Sequence, residues 1–151
     1  IKKLFLPNGQ DNCNIRTAKL YILNMENKPY RPFQISCGLK EGFETNGLEH
    51  TIDKARSIIQ SWIENRIKSE KKVAVGILMQ GQFIYPWIEG SNISSRYEPA
   101  FHYKGQIRED ASDDEAVEML SSLATELAEK LSQKRIHVEF SMKYFLIERS
   151  K

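Results

Sequence analysis

Residues 112–146 read SDDEAVEMLSSLATELAEKLSQKRIHVEFSMKYFL, and they indicate the fold class most clearly. Its first half repeats apolar residues at steps of three and four, which is the spacing of an amphipathic helix. Its second half alternates polar and apolar residues from Arg135 to Leu146, which is the spacing of a half-buried strand. A helix followed directly by such a strand predicts a domain of the α+β class.

The helix has a clear start signal at Ser112. The segment from Ser112 to Glu115 fits a capping box, in which the serine side chain accepts the amide of Glu115 and the glutamate reaches back to the amide of Ser112. The acidic residues of this first turn also favour the positive end of the helix dipole. We therefore predict that the helix begins directly after Ser112.

Upstream of this pair, the sequence predicts another strand and another helix. The segment from Phe33 to Lys40 alternates apolar and polar residues, as a half-buried strand does. An apolar stripe at helical spacing follows and predicts a helix of about six turns. The members of this stripe are Leu48, Ile52, Ala55, Ile59, Trp62, Ile63 and Ile67.

Further strands are predicted between the two helices. Residues 73–79 alternate, and the turn residues Gln80-Gly81-Gln82 are expected to lead into a hairpin partner at residues 83–85. Pro86 and a loop over residues 90–99 would end this hairpin. A further strand is predicted over residues 100–108.

Together these elements predict a ferredoxin-like β-α-β-β-α-β core, in which an antiparallel sheet carries two helices on one face. Residues 1–30 are expected to form an N-terminal extension, residues 31–151 the core, and the inserted β-hairpin a projecting arm. All 151 residues are expected to belong to one α+β domain, since this length suits a single core. A different arrangement of the same elements is the alternative.

Composition argues against several functional classes. The net charge is +2, from 22 basic and 20 acidic residues, which is too balanced to indicate a nucleic-acid or membrane partner. No apolar run approaches the ~20 residues needed to span a bilayer.

Cys13 and Cys37 fit no metal or redox spacing and predict free thiols in a reducing cytoplasm, with a disulfide as the alternative. Since the sequence begins at Ile1, it does not decide whether a leader peptide has been removed.

The sequence contains none of the common cofactor or nucleophile motifs. No GxxxxGK[ST], GxGxxG or GxSxG pattern occurs, so no cofactor is predicted. His50, His102 and His137 fall on separate predicted elements, so no metal is predicted either. The aromatic residues of the strands fall on the helix-covered side, which argues against RNA binding by base stacking on the other face.

The sheet face away from the helices is expected to carry polar side chains from three strands. Two histidines and a carboxylate there can exchange protons near neutral pH, and a lysine can hold a small anionic ligand. The ligand-binding candidates are Gln34, Ser36, His102, Lys104, His137 and Glu139. A solvated or subunit-facing sheet surface is the alternative.

The apolar segment of residues 83–88 is the most unusual stretch of the chain. Its side chains predict either an interface with a second copy of the chain or an arm folded back onto its own domain. The interface candidates are Phe83, Tyr85, Trp87 and Ile88.

Two functional hypotheses follow. The first is a regulatory or interaction module that forms a homo-oligomer through the arm or through the exposed sheet face. The second is an enzyme or binding protein for a small molecule or anion, with its site on that face. The sequence does not decide whether the protein is an enzyme.

Overall fold

The computed structural model describes residues 30–42, 47–141 and 143–148, so the predicted N-terminal extension lies outside it apart from Tyr30. Seven elements follow one another along these residues. They are β1 (Pro32–Gly38), α1 (Ile52–Lys68), β2 (Val75–Glu89), β3 (Asn92–Gln106), α2 (Asp113–Lys130), β4 (Arg135–Phe140) and β5 (Lys143–Glu148).

The sheet has the order β2-β3-β1-β4-β5, and all neighbouring strands are antiparallel. The first four strands and the two helices form the predicted ferredoxin-like β-α-β-β-α-β core, and the fold class is confirmed. β5 extends the sheet beyond β4. The two helices cover one face of the sheet, and we call the opposite face the open face.

The hydrophobic core lies between the helices and the sheet. The inward residues of β1, β4 and the part of β3 that pairs with β1 are buried, whereas those of β2 and β5 are only partly buried. Complete burial of one such side chain stabilises the fold by about 1.5–3 kcal/mol. The largest fully buried side chains include Ile35, Phe101, Ile136, Val138 and Phe140 from the strands, and Trp62, Met119, Leu120, Leu123 and Leu127 from the helices.

The predicted apolar stripe of α1 is correct in its middle and wrong at both ends. α1 has 17 residues rather than about six turns and begins at Ile52, so Leu48 precedes it and is exposed. At the other end Ile67 is exposed, and Arg66 occupies the buried position. An arginine suits this position because its guanidinium group lies over the ring of Trp62, 5.2 Å from the ring centre.

α2 begins where the sequence predicts. The hydroxyl of Ser112 accepts the amide of Glu115 at 3.1 Å, and the carboxylate of Glu115 accepts the amide of Ser112 at 2.7 Å. The ammonium group of Lys72 also bonds this carboxylate at 2.9 Å. Lys72 first, and then the amide of Ser112, hold the pKa of Glu115 below its usual value.

Replacing Ser112 with alanine should lower the free energy of unfolding by about 1 kcal/mol, because the amide of Glu115 loses its acceptor. Urea denaturation measures the loss. Ser57→Ala, within α1, is the matched control and should change stability by less than about 0.5 kcal/mol. A loss at Ser112 no larger than that of the control would contradict the capping role.

β2 and β3 are longer than predicted and form one continuous hairpin with 15 residues in each strand. Residues 80–82 do not turn the chain, and most of residues 90–99 are strand, so both predictions are wrong. The turn lies at Gly90, which has a φ of +61°. Gly81 instead marks a close approach, since a β carbon there would lie 2.9 Å from Nε2 of His102.

The outer half of this hairpin is the predicted arm. Within the described sheet, residues 82–89 and 92–98 pair only with each other, because β1 is paired to β3 from Ala100 onward. The prediction of an inserted β-hairpin arm is therefore confirmed, with the arm longer than the sequence indicated.

The last predicted strand is in fact two strands. Ser141 adopts the left-handed backbone region, with a φ of +44°, and the chain reverses there between β4 and β5. Because the reversal shifts the alternation by one residue, Phe145 and Ile147 pack against the core. Tyr144 and Leu146 lie on the open face, not beside Ile136 on the core face as predicted. Met142 lies outside the described residues.

The described part of the chain also shows the state of one predicted thiol. Cys37 is a buried free cysteine, and burial first, with Glu98 second, raises the pKa of its thiol. Such a thiol is a poor nucleophile. Cys13 lies outside the described residues. No helix among the described residues is long and apolar enough to cross a membrane.

Candidate functional site

The open-face side chains form rows that cross the sheet, because antiparallel partners share a face. We call the first the lysine row: Ile77, Lys104, Gln34, Glu139 and Tyr144. We call the next the histidine row: Met79, His102, Ser36, His137 and Leu146. All six ligand-binding candidates therefore lie on the open face, in two adjacent rows.

Four of these candidates are held by hydrogen bonds on the open face. The amide of Gln34 donates to the hydroxyl of Ser36 at 3.0 Å, and this hydroxyl is hydrogen-bonded to Nδ1 of His102 at 2.9 Å. Separately, Nδ1 of His137 is hydrogen-bonded to the hydroxyl of Tyr144. Each histidine thus has its own polar partner, which fixes the orientation of its ring.

A cavity of about 540 Å³ opens where the arm leaves the sheet, and we call it the arm cavity. This volume is typical of a site for a small molecule. Its lining combines aromatic rings with polar and charged groups, and glycines leave space in its wall. The lining residues are Gly38, Gly42, Phe83, Ile84, Tyr85, Glu98, Gln133, Lys134, Arg135, His137, Tyr144 and Leu146. Of the six ligand-binding candidates, only His137 lines this cavity.

Phe83 ties the arm cavity to the histidine row. Its ring centre lies 6.2 Å from that of His102 and 6.1 Å from that of His137, in edge-on contacts with both. Such contacts are favourable between aromatic rings. The arm therefore contributes one wall of the cavity and packs against the two histidines of the sheet.

Glu98 is the most unusual group in the arm cavity. Its carboxyl group occupies the space that a side chain at Gly38 would fill, since a methyl group there would overlap Oε1 of Glu98. Partial burial raises the pKa of Glu98, and the charge of Lys40 opposes this by a smaller amount. The negative charge of an ionised Glu98 is therefore only partly balanced by its surroundings. This favours either protonation of Glu98 or a cation beside it.

Sequence reasoning missed Glu98 because residues 90–99 were expected to form a loop. The alternation of β3 contained the signal, since stepping back by two from Lys104 through His102 and Ala100 reaches Glu98. Tyr144 was missed for the related reason that the reversal at Ser141 was not recognised.

Replacing Glu98 with glutamine should stabilise the folded protein at neutral pH. Folding raises the pKa of Glu98 above its reference value of 4.5, so the native state binds this proton more tightly than the unfolded state does. Stability is therefore lost as the pH rises through the native pKa, and glutamine avoids that loss. The urea midpoint of Glu98→Gln should exceed that of the wild type at pH 7, and the two should converge below about pH 4.5. A wild-type midpoint equal to or above that of the variant at pH 7 would contradict this.

The four interface candidates divide between the two faces of the arm. Phe83, Tyr85 and Trp87 alternate along the face that borders the arm cavity and are half-buried. The guanidinium carbon of Arg96 lies 3.6 Å from the centre of the Trp87 ring, so this face is partly covered from within the chain. Ile88 lies on the other face.

The other face of the arm, which we call the outer arm face, is apolar and open. Ile84 pairs across the strands with Tyr97, and Ile88 pairs with Ile93. The exposed fractions are 74% for Ile84, 69% for Tyr97, 69% for Ile88 and 79% for Ile93. Of these four residues only Ile88 was an interface candidate from the sequence, and Ile93 and Tyr97 lie in the part of β3 that was expected to be a loop.

Metal-binding geometry is a separate question from small-molecule binding. The residues that the structure describes hold no group of three or more His, Cys, Asp or Glu side chains that could bind a metal ion. His50 is hydrogen-bonded to Glu41 at 2.9 Å and to Lys54 at 3.1 Å, away from the open face.

Two solved structures share this fold. A phage SAM lyase in complex with S-methyl-5′-thioadenosine is 16% identical, with a TM-score of 0.59, over 80% of this chain and 90% of that chain. A phage SAM lyase in the apo state is 16% identical, with a TM-score of 0.60, over 81% of this chain and 91% of that chain. At this identity the likeness shows the fold alone. No protein-family model matches the sequence, and no curated protein matches it significantly.

Proposed function

We propose that the protein binds S-adenosylmethionine in the arm cavity and cleaves it to S-methyl-5′-thioadenosine. The observation that carries this proposal is the carboxyl group of Glu98, held against Gly38 in a cavity with aromatic walls. The fold shared with a phage SAM lyase over 80% of the chain supports the choice of ligand. This is the enzyme hypothesis from the sequence analysis, now with a named substrate.

The charge of the arm cavity suits a sulfonium cation. Ionising Glu98 is costly in the empty cavity, and a positively charged sulfur beside it would offset that cost. The rings of Phe83, Tyr85 and Tyr144 would attract the same cation and stack on a purine base. Since the thioether product is neutral, it would gain less from Glu98 and would leave more easily than the substrate.

The proposed reaction breaks one carbon–sulfur bond. The sulfur keeps the electron pair of its bond to the amino-acid part and becomes the neutral thioether of S-methyl-5′-thioadenosine. As this bond breaks, the carbon either forms a bond to the carboxylate of its own fragment, which gives a lactone, or forms a double bond to the neighbouring carbon, which loses a proton. In the second case His137, which lines the cavity, is the group suited to accept that proton.

Incubation of the purified protein with S-adenosylmethionine tests the proposal, with liquid chromatography and mass spectrometry to detect S-methyl-5′-thioadenosine. The expected result is release faster than in buffer alone. S-adenosylhomocysteine, whose sulfur is neutral, is the control substrate and should not be cleaved. A release rate equal to that in buffer would overturn the catalytic assignment.

The outer arm face favours a further proposal, which is a homo-oligomer. Its six positions are Ile84, Pro86, Ile88, Ile93, Ser95 and Tyr97, without a charged side chain among them. Exposed apolar patches of this kind are usually covered by a partner. A second copy of the chain is the partner we propose, because interfaces between identical subunits are more apolar than those of transient complexes.

A further inference from the structure

A second depression lies on the open face, toward the opposite end of β1 from the arm cavity. Its volume is about 720 Å³, and Phe33, Gln34, Lys104, Glu139 and Tyr144 are among the residues that line it. We call it the lysine-row groove, because the lysine row crosses it. Tyr144 lines both the groove and the arm cavity, so the two depressions adjoin.

The groove presents opposite charges on the two strands that flank β1. Lys104 on β3 and Glu139 on β4 are both register partners of Gln34. Their α carbons are therefore two strand spacings apart, which is about 10 Å. Within the described parts of the chain, neither side chain takes part in a salt bridge. Both charged groups are thus available to a ligand.

An amino-acid zwitterion matches this pair of charges. Its carboxylate can accept a bond from the ammonium group of Lys104, and its ammonium group can donate to the carboxylate of Glu139. A ligand with a single charge would be attracted by one of these side chains and repelled by the other. The groove therefore favours a group that carries both signs close together.

We infer that the lysine-row groove holds the amino-acid end of an S-adenosyl amino acid whose nucleoside end lies in the arm cavity. This inference rests on the proposed function. Along β1 the distance from Gly38, in the arm cavity, to Gln34, in the groove, is about 13 Å. An extended nucleoside–amino-acid conjugate covers such a distance. Tyr144, which borders both depressions, stands where the sulfur passes from one to the other.

Two ligands with a neutral sulfur allow the nucleoside end and the amino-acid end of the proposed site to be tested separately. S-methyl-5′-thioadenosine has no amino-acid part, and S-adenosylhomocysteine has one, so a comparison of their affinities isolates the groove. Lys104→Gln and Glu139→Gln should each lower the affinity for S-adenosylhomocysteine about tenfold. The affinity for S-methyl-5′-thioadenosine should stay within about twofold, and isothermal titration calorimetry measures both. Lys68→Gln, at the end of α1 on the helix side, is the control and should change neither affinity.

The outcomes distinguish this inference from the proposed function. If the wild-type protein binds neither ligand, the proposed function fails and the inference fails with it. If it binds both ligands equally, or if Lys104→Gln and Glu139→Gln weaken both by the same factor, the inference alone is overturned. Because both residues are exposed, circular dichroism should show both variants folded, and equal effects of the two on S-adenosylhomocysteine alone support the groove.

Discussion

Replacing Glu98 with glutamine is expected to weaken the binding of S-adenosylmethionine about a hundredfold, because a partly buried cation loses the opposite charge beside it. Glutamine keeps the shape of the side chain and removes only its charge. The affinity for S-methyl-5′-thioadenosine and for S-adenosylhomocysteine should stay within about threefold, since the sulfur of both is neutral. Isothermal titration calorimetry of the three ligands measures this pattern.

Glu129→Gln is the matched control for this experiment. Glu129 is exposed on α2, on the helix side of the sheet, and its loss should leave all three affinities unchanged. Equal weakening of all three ligands by Glu98→Gln would mean that Glu98 shapes the cavity and does not recognise charge. Unchanged affinity for S-adenosylmethionine would remove Glu98 from the site.

Introducing a lysine at Ile88 or Ile93 is expected to weaken self-association about a hundredfold, because the interface would bury an unpaired charge. These two positions are better tests than Trp87, which is another of the interface candidates from the sequence. Trp87 is half-buried beneath Arg96, so a charge there would also disturb the arm itself. Sedimentation equilibrium over a range of protein concentrations measures the dissociation constant.

The control for the arm is Ile67→Lys. Ile67 is an exposed isoleucine on α1, and its replacement should leave the dissociation constant unchanged. A wild-type protein that stays monomeric at every concentration tested would contradict self-association through the outer arm face. An association that both arm variants leave intact would place the interface elsewhere on the molecule.

The order of the core elements was predictable because each has a long and regular apolar pattern. β1 alternates without interruption, and α2 carries both a capping box and a full apolar stripe. Predicting the core required only those periodicities and the general rule that a chain with the order β-α-β-β-α-β forms a ferredoxin-like core. Patterns of this kind reflect burial on one side, which is the strongest determinant of local structure.

The lengths of β2 and β3 were not predictable from local signals. Gly81 and residues 90–99 contain the residue types of turns, yet they lie in or beside the hairpin ladder. Gly81 is required by the approach of His102 from the neighbouring strand, which is a tertiary contact that no local pattern reveals. The reversal at Ser141 was hidden in the same way, since an unbroken alternation ran through it.

The residues of the candidate site could be predicted only on strands whose bounds had been predicted correctly. Alternation placed Gln34, Ser36, His102 and His137 on one face, and the structure joins them to partners there. Glu98 was out of reach because its strand was taken for a loop. The arm cavity itself depends on the angle at which the arm leaves the sheet, and sequence periodicity carries no information about that angle.

A crystal structure with S-methyl-5′-thioadenosine is the most direct test of the proposed site. We expect the ligand to occupy the arm cavity, with its purine ring against Phe83 or Tyr85 and its sulfur within reach of Glu98 and Tyr144. Difference density elsewhere on the molecule, or an empty arm cavity in crystals saturated with the ligand, would contradict it.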